Sequence, residues 1–237
     1  HSTETVDHSL WQQFLSRNLV VGRDGINRLG YAEVSRADDE LLDEYLEMLA
    51  SQKVSTLNRN EQRAFWINLY NALTIDIVLA HYPVSSIRDI DISPGWFTDG
   101  PWRKKLIRVE DVAVSLDDIE HRILRPVWRD PRIHYAVNCA SLGCPNLQPE
   151  PFTSENSEQL LEQAAHDYIN HPRGVRLERG ELVVSAIYSW FKEDFGETDA
   201  AIIKHISRYA KPELRTRLEG VDTIDGTEYD WSLNDLH

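Results

Sequence analysis

The longest stretch that is apolar on nearly every side is NEQRAFWINLYNALTIDIVLAHYP, residues 60–83. A helix with apolar side chains all round is typical of a buried position rather than a surface position. Pro83 lacks a backbone N–H group and is a common stop signal after a helix. The pattern therefore predicts a buried central helix over residues 60–80.

Shorter amphipathic segments with capping signals predict further helices. They cover residues 7–18, 38–50, 115–124, 154–169, 187–196, 199–210 and 212–218. Segments with strand-like alternation predict two hairpins and a terminal strand, over residues 104–115, 174–187 and 227–234. Strands cluster in hairpins without a βαβ rhythm, which predicts an α+β fold with a mostly antiparallel sheet. We expect a single domain over residues 1–237.

Residues 132–140, RIHYAVNCA, are mostly apolar and predict a buried strand packed on the central helix. Successive side chains of a strand point to opposite faces, so His134 and Cys139 would lie on different faces. At about 3.3 Å per residue they would also be roughly 16 Å apart. His134 would therefore not act as a base for the Cys139 thiol.

The predicted helix over residues 115–124 carries an apolar stripe that contains a carboxylate. The stripe is formed by Leu116, Ile119, Ile123 and Val127. Glu120 falls inside it and His121 lies at its edge. A buried carboxylate is costly unless it is paired, hydrogen-bonded or protonated. Two interpretations stay open: side chains directed at a catalytic site, or a structural polar pair that holds the helix to its neighbours.

Two amides interrupt the apolar surface of the central helix. Asn68 and Asn71 are three residues apart and therefore project from one helix face. Buried amides need hydrogen-bond partners and commonly join structural elements. They also polarise carbonyl groups or orient a histidine in active sites, so both roles stay open.

Both cysteines lie in CASLGCP, residues 139–145, which predicts a tight loop. Cys139 and Cys144 are close enough to bridge, and so small a ring would stabilise the fold by only ~2 kcal/mol. A structural zinc site would need a second ligand pair at similar spacing, and the sequence has no further cysteine and no H-x₃₋₅-H pair close by. A free thiol and a disulfide both remain open, and we predict no metal and no other cofactor.

The charge balance is acidic, with 25 Lys and Arg against 39 Asp and Glu and a formal net charge of -14. Such a field disfavours binding to nucleic acid and to anionic lipid. Basic residues cluster only in WRKKLIR, residues 102–108, either as a solvated strand face or as a patch for a carboxylate-bearing substrate. No apolar run approaches the roughly 18 residues of a membrane span, so we expect no membrane insertion.

The printed sequence starts at His1 and its only methionine is Met48, which suggests that a preceding segment has been removed. Two cysteines fit a single disulfide outside the cytoplasm or free thiols inside it. We expect a periplasmic or secreted protein.

Several motifs occur together and in order: VGRDGINRLGY, FWINLYNAL, LDDIEHRILR, DPRIHYAVNCASLGCPNL, SWFKEDF and YDWSLN. Through them, residues 19–237 resemble the domain of unknown function 547 (DUF547) family, in its bacterial exported type. Bacterial members commonly carry a secretion signal, so the resemblance implies that His1 follows a cleavage site. The family name implies no activity.

The family motifs, carried over position by position, fall mainly on polar residues. These are Asn68, Asn71, Glu120, His121, Arg132, His134, Cys139, Ser141, Cys144 and Pro145. Several of these residues are the ones that the helix and strand patterns single out. This overlap strengthens the case for a functional site, and structural pairing stays open as the alternative. A distant analogy to papain-like and transglutaminase-like thiol enzymes concerns the fold alone, because the central helix here has no cysteine.

Three hypotheses follow. The first is an exported thiol-dependent hydrolase or acyl transferase acting on an amide or peptide-like substrate, with Cys139 as nucleophile, His121 as base and Glu120 as orienting carboxylate. Asn71 or a backbone N–H would be the oxyanion donor. Binding residues would be Asn68, Arg132, His134, Ser141 and Cys144. The second is a non-catalytic module that binds a peptide or partner, with a structural Cys139–Cys144 disulfide. The third is redox or metal chemistry at the cysteines. The sequence assigns no specific substrate, partner or oligomeric state.

Overall fold

Helix α3 (Arg59–His81) is the predicted central helix, one residue longer at each end. The side chain of Asn58 caps it by accepting the backbone N–H groups of Asn60 and Glu61. Most of its side chains are buried, among them Phe65, which is wholly inaccessible to solvent. The all-round apolar pattern therefore located the central helix correctly.

The computed structural model describes residues 2–95 and 99–237, so His1 lies outside the described residues. The described chain confirms the predicted α+β fold. The other α-helices are α1 (Ser9–Asn18), α2 (Arg36–Ala50), α4 (Arg125–Trp128), α5 (Ser157–Ile169), α6 (Ile187–Trp190), α7 (Asp199–Tyr209) and α8 (Pro212–Arg217). The strands are β1 (Leu19–Val20), β2 (Arg28–Leu29), β3 (Ile107–Val109), β4 (Val112–Val114), β5 (Val175–Glu178), β6 (Glu181–Ser185) and β7 (Gly226–Glu228).

The two predicted hairpins form. β3 pairs with β4 and β5 pairs with β6, both antiparallel. The first turn consists of Glu110 and Asp111, which both have positive φ angles, as a tight two-residue hairpin loop requires. β7 adds to β6 in parallel, so the predicted terminal strand over residues 227–234 is a strand only at its start. Beyond it, Leu233 makes an isolated bridge with Ser141.

The predicted strand over residues 132–140 is wrong. Pro131–Tyr135 forms a short 3-10 helix, and an irregular loop follows it. Asp130 caps this helix, since its carboxylate accepts the Arg132 N–H at 2.9 Å. Proline in the first turn supports the same geometry. Central helix α3 therefore does not pack on a sheet here, and the opposite-face argument for His134 and Cys139 does not apply.

The predicted helix over residues 115–124 forms, but Asp118–Leu124 is a π-helix. Ser115 and Asp118 cap its start reciprocally, through Asp118 N–H to Ser115 Oγ and Ser115 N–H to Asp118 Oδ2. The wider turn shifts the buried face, so Leu124 is fully buried while Val127, placed on the stripe by a regular helical period, is 38% exposed. Glu120 stays on the buried face, as predicted.

Two hydrophobic clusters make up the core. The first surrounds α3 and includes Ile133 and Ala136. The second lies among α5, β5, β6 and α7 and includes Tyr135. The Pro131–Tyr135 helix thus contributes to both clusters, and the loop with both cysteines follows directly after it. Within the described chain, no helix has the length and apolar character needed to cross a membrane.

Candidate functional site

The cysteine loop is held by the side chains of two asparagines. Asn71 of α3 donates to the Ala136 carbonyl at 2.9 Å and accepts the Asn138 N–H at 2.8 Å. Asn138 in turn accepts the Ala140 N–H and donates to the Pro145 carbonyl. These bonds replace the strand ladder that the sequence predicted, because buried backbone groups need partners.

The C-terminal segment closes over this loop. Leu142 and Gly143 donate their N–H groups to the carbonyls of Ser232 and Asp230, each at 2.8 Å. A Cβ atom on Gly143 would lie 2.7 Å from the backbone nitrogen of Asp230, so this close approach requires glycine. The contact brings Tyr229, which lies just after β7, against the cysteines.

Cys139 and Cys144 are both free thiols, and their sulfur atoms lie 2.7 Å apart. The Cys139 N–H also donates to Cys144 Sγ at 3.0 Å. Cys139 Sγ contacts the Tyr229 hydroxyl at 3.0 Å and Ser141 Oγ at 3.3 Å. Cys144 is buried, whereas Cys139 is the more accessible of the two.

These contacts shift the pKa values of the two thiols in opposite directions. The hydrogen bond to Cys144, followed by burial, raises the pKa of the Cys139 thiol. Burial alone would raise the pKa of Cys144, but hydrogen bonds from Cys139 and Tyr229 outweigh it and lower that pKa. The first negative charge therefore resides on Cys144 sulfur, while Cys139 keeps its proton.

His134 lies between two carboxylates. Its Nε2 is 2.7 Å from Asp194 Oδ2 and its Nδ1 is 3.6 Å from Glu120 Oε1. Burial would lower the pKa of His134, but its contacts with Asp194 and Glu120 outweigh burial and raise it. Its ring also stacks on Phe191, with centroids 4.2 Å apart. Both ring nitrogens of His134 thus face carboxylates, which favours its protonated form over a proton-accepting one.

Glu120 is buried, as predicted, and pairs with His134. Burial would raise the pKa of Glu120, but the interaction with His134 outweighs burial and lowers it. His121 is exposed, with Nδ1 3.0 Å from Arg125 and Nε2 3.7 Å from Asp117. Among the hydrogen bonds of residues 2–95 and 99–237, none joins an imidazole to either thiol.

A cavity of about 200 Å³ opens beside the thiols, at the junction of the two hydrophobic clusters. Both cysteines border it, as do four titratable side chains: Asp117, Glu120, His121 and His134. Its aromatic lining consists of Tyr70, Trp102, Trp190, Phe191, Tyr229 and Trp231. We call this space, which Val137, Pro145 and Ile187 also border, the thiol cavity. Reactive groups at the end of an apolar pocket are the usual arrangement of a small-molecule site.

Five of the predicted site residues border the thiol cavity: Glu120, His121, His134, Cys139 and Cys144. Pro145, also carried over from the family motifs, lines the same space. The structure therefore brings together residues that are up to 25 positions apart in the sequence.

The other predicted site residues bond elsewhere. Both polar atoms of the Asn68 side chain bond to the backbone of Phe152, and those of Asn71 brace the cysteine loop. Arg132 pairs with Asp130 and Glu158. Ser141 bonds to Tyr229 next to the thiols, although it does not border the cavity.

Sequence reasoning missed Tyr229, Asp194 and the aromatic lining. A signal was present, since SWFKEDF contains Phe191 and Asp194, and YDWSLN contains Tyr229 and Trp231. Aromatic rings set among charged residues are typical of binding sites. The sequence patterns of these two segments, however, gave no indication that the segments converge on the cysteine loop.

Among the described residues, no group of three or more His, Cys, Asp or Glu side chains is arranged to hold a metal ion. A family model described as "Protein of unknown function, DUF547" matches residues 54–169. The match contains FWINLYNAL, LDDIEHRILR and the cysteine motif, so residues 54–169 are similar to this family. No curated protein and no solved structure gave a significant match.

Proposed function

Since the matching family is described without an activity, we propose from the site itself that the protein is a thiol-dependent hydrolase or acyl transferase acting on an amide or peptide-like substrate. The observation that carries the proposal is the pair of free thiols, 2.7 Å apart, at the edge of an aromatic cavity. Burial and a neighbouring charge are the usual means by which active sites adjust thiol reactivity.

In this proposal Cys139 is the nucleophile, as the sequence suggested, but Cys144 takes the place of His121 as its base. Cys139 is the more accessible thiol and retains its proton, while Cys144 carries the first negative charge. At 2.7 Å the two sulfurs are within direct proton-transfer distance. His121 and Glu120 border the same cavity but contact Arg125 and His134 instead.

The reaction would begin with attack of Cys139 sulfur on the substrate carbonyl carbon, while its proton passes to the Cys144 thiolate. The C–N bond then breaks, and Cys144 returns the proton to the leaving amine, which leaves a thioester on Cys139. Water or an acceptor amine attacks the thioester and gives a proton to Cys144. The C–S bond breaks, and the Cys139 thiolate regains its proton from Cys144. The Tyr229 hydroxyl, 3.0 Å from the attacking sulfur, is our candidate oxyanion donor in place of Asn71.

The reduced protein can be tested with p-nitrophenyl acetate, a generic activated acyl donor. We expect release of nitrophenolate, one acetyl group per chain by intact mass, and peptide mapping of that group to Cys139. Cys139→Ala should remove the adduct, and Cys144→Ala should slow its formation, because the base is lost. Equal acetylation of the wild type and Cys139→Ala would refute the proposal.

The second candidate is the binding module with a structural Cys139–Cys144 disulfide, which the same short sulfur–sulfur distance favours. In the periplasmic or secreted location that we propose, neighbouring thiols are prone to oxidation. Counting thiols in the unreduced, denatured protein separates the two candidates. Two reactive thiols support the enzyme, and none supports the bridged module.

A further inference from the structure

The thiol cavity is bordered mainly by aromatic rings and carboxyl groups. Six rings and the carboxyl groups of Asp117 and Glu120 border it, and no Lys or Arg among the described residues does. His134 also borders it, but its imidazole is already shared between Glu120 and Asp194. Asp117 and Glu120 therefore give the lining two carboxyl groups that a cation can approach.

We call the six lining rings the aromatic wall, and three of them, Trp190, Tyr229 and Trp231, contact one another. The centroids of Tyr229 and Trp231 are 4.7 Å apart, and those of Trp190 and Tyr229 are 4.8 Å apart. Trp190 is 45% exposed, so part of its ring is accessible to a ligand beside the cavity. Aromatic faces attract cations, most strongly when water is excluded.

Two rings of this wall already contact a guanidinium in the folded chain. Arg88 lies 5.3 Å from the centroid of Trp231, and Arg125 lies 4.9 Å from that of Phe191. Neither arginine borders the cavity itself. Asp117 itself lies 3.5 Å from Arg103 and 3.7 Å from the His121 ring.

The size of the cavity limits the ligand. At roughly 30 Å³ for each water-sized group, about 200 Å³ accommodates on the order of six or seven non-hydrogen atoms. A four-carbon chain that ends in an ammonium group fits this volume. Its methylene groups would contact the rings and its charge would face Asp117 and Glu120.

We infer that the thiol cavity binds a primary alkylammonium group, either a small free amine or the end of a lysine side chain. The inference names the substrate class of the proposed function and rests on it for the claim that the bound amine takes part in acyl transfer. Binding itself requires only the aromatic wall and the two carboxylates. The two claims can therefore be tested separately.

Titration calorimetry on the reduced protein near neutral pH tests the binding. We expect n-butylammonium to bind at least about tenfold more tightly than 1-butanol, its neutral counterpart, and butyrate not to bind. Nα-acetyl-lysine N-methylamide, compared with its norleucine counterpart, distinguishes the sources of the amine. Tighter binding than butylammonium indicates a lysine side chain, and weaker binding indicates a small free amine; either order supports the inference.

Substitutions in the cavity lining should specifically weaken binding of the cation. Asp117→Asn and Trp190→Ala should each weaken butylammonium binding about 3- to 10-fold, while Trp190→Phe keeps most of it. Asp43→Asn, the same charge change at an exposed position of α2, should have no effect. Equal affinity for 1-butanol, or unchanged affinity in both Asp117→Asn and Trp190→Ala, would overturn the inference. Binding without acetylation of Cys139 would refute the proposed function but not the cation site.

Discussion

The backbone N–H of Cys139 donates to Cys144 Sγ at 3.0 Å, while the two sulfur atoms lie 2.7 Å apart. The amide of Cys139 thus donates to the sulfur of Cys144, and the two sulfur atoms are also in contact. This asymmetry places the first negative charge on the buried Cys144 and leaves a protonated thiol on the accessible Cys139. Cys139 and Cys144 therefore have different chemical roles in the proposal.

Glu120→Ala should destabilise the fold by about 1–3 kcal/mol, because it removes the partner of a buried imidazolium. Asp194 still holds the other nitrogen of His134, which limits the loss. The urea midpoint of the variant measures the effect, and Glu44→Ala, at an exposed position of α2, is the matched control. A Glu120→Ala midpoint equal to that of the control would contradict the buried pairing.

The His134 cluster should make stability depend on pH. The folded pKa of His134 is raised, so its contribution is complete below the ordinary value of 6.5 and is lost as pH rises through the folded pKa. Burial would raise the pKa of Asp194, but His134 and Arg125 lower it from 3.8 to about 2. Its contribution is therefore complete above 3.8 and is lost as pH falls through about 2.

Glu120, whose pKa is lowered from 4.5, contributes fully above that value, so the cluster stabilises the protein most between pH 4.5 and 6.5. The free energy of unfolding of the wild type, minus that of His134→Gln, should be larger near pH 5.5 than near pH 9. Urea denaturation of both proteins at the two pH values measures this difference. A difference that stays constant, or grows at the higher pH, would show that His134 is not held as an imidazolium.

Asn71→Ala should cost about 2–4 kcal/mol, because two buried backbone groups of the cysteine loop would lose their partner. The exposed Asn60, in the first turn of the same helix, provides the control. Asn60→Ala should change stability by less than about 0.5 kcal/mol. An equally small loss of stability in Asn71→Ala would contradict this prediction. It would mean that water or another side chain provides hydrogen-bond partners for these two backbone groups.

Sequence patterns predicted the secondary structure correctly where neighbouring residues alone determine the element. The all-round apolar helix α3 and the hairpin turn at Glu110 and Asp111 are examples. The stretch over residues 132–140 was misread because a short apolar run does not distinguish a strand from other buried structure. Its conformation depends on Asp130 beside it and on Asn71, more than 60 residues earlier, whose amide replaces strand pairing.

The candidate site shows the same limit. Glu120 was found because a carboxylate on a buried helix face is unusual, and that signal is local. The proximity of Tyr229 to Cys139 was not predictable, since it depends on the close approach of the C-terminal segment at Gly143. A residue that is 90 positions away along the chain reaches the thiols through tertiary packing alone.

The most direct test of the account is a pH titration of thiolate absorbance at 240 nm in the reduced protein. The Cys139→Ala/Cys144→Ala double variant serves to subtract the tyrosine signal. We predict one thiolate forming below the ordinary pKa of a thiol and the second only well above it. Cys139→Ala should raise the remaining pKa, because Cys144 loses its thiol donor, and Cys144→Ala should lower that of Cys139. Two overlapping transitions at the ordinary value, unchanged in the single variants, would contradict the claim that the two cysteines act as nucleophile and base.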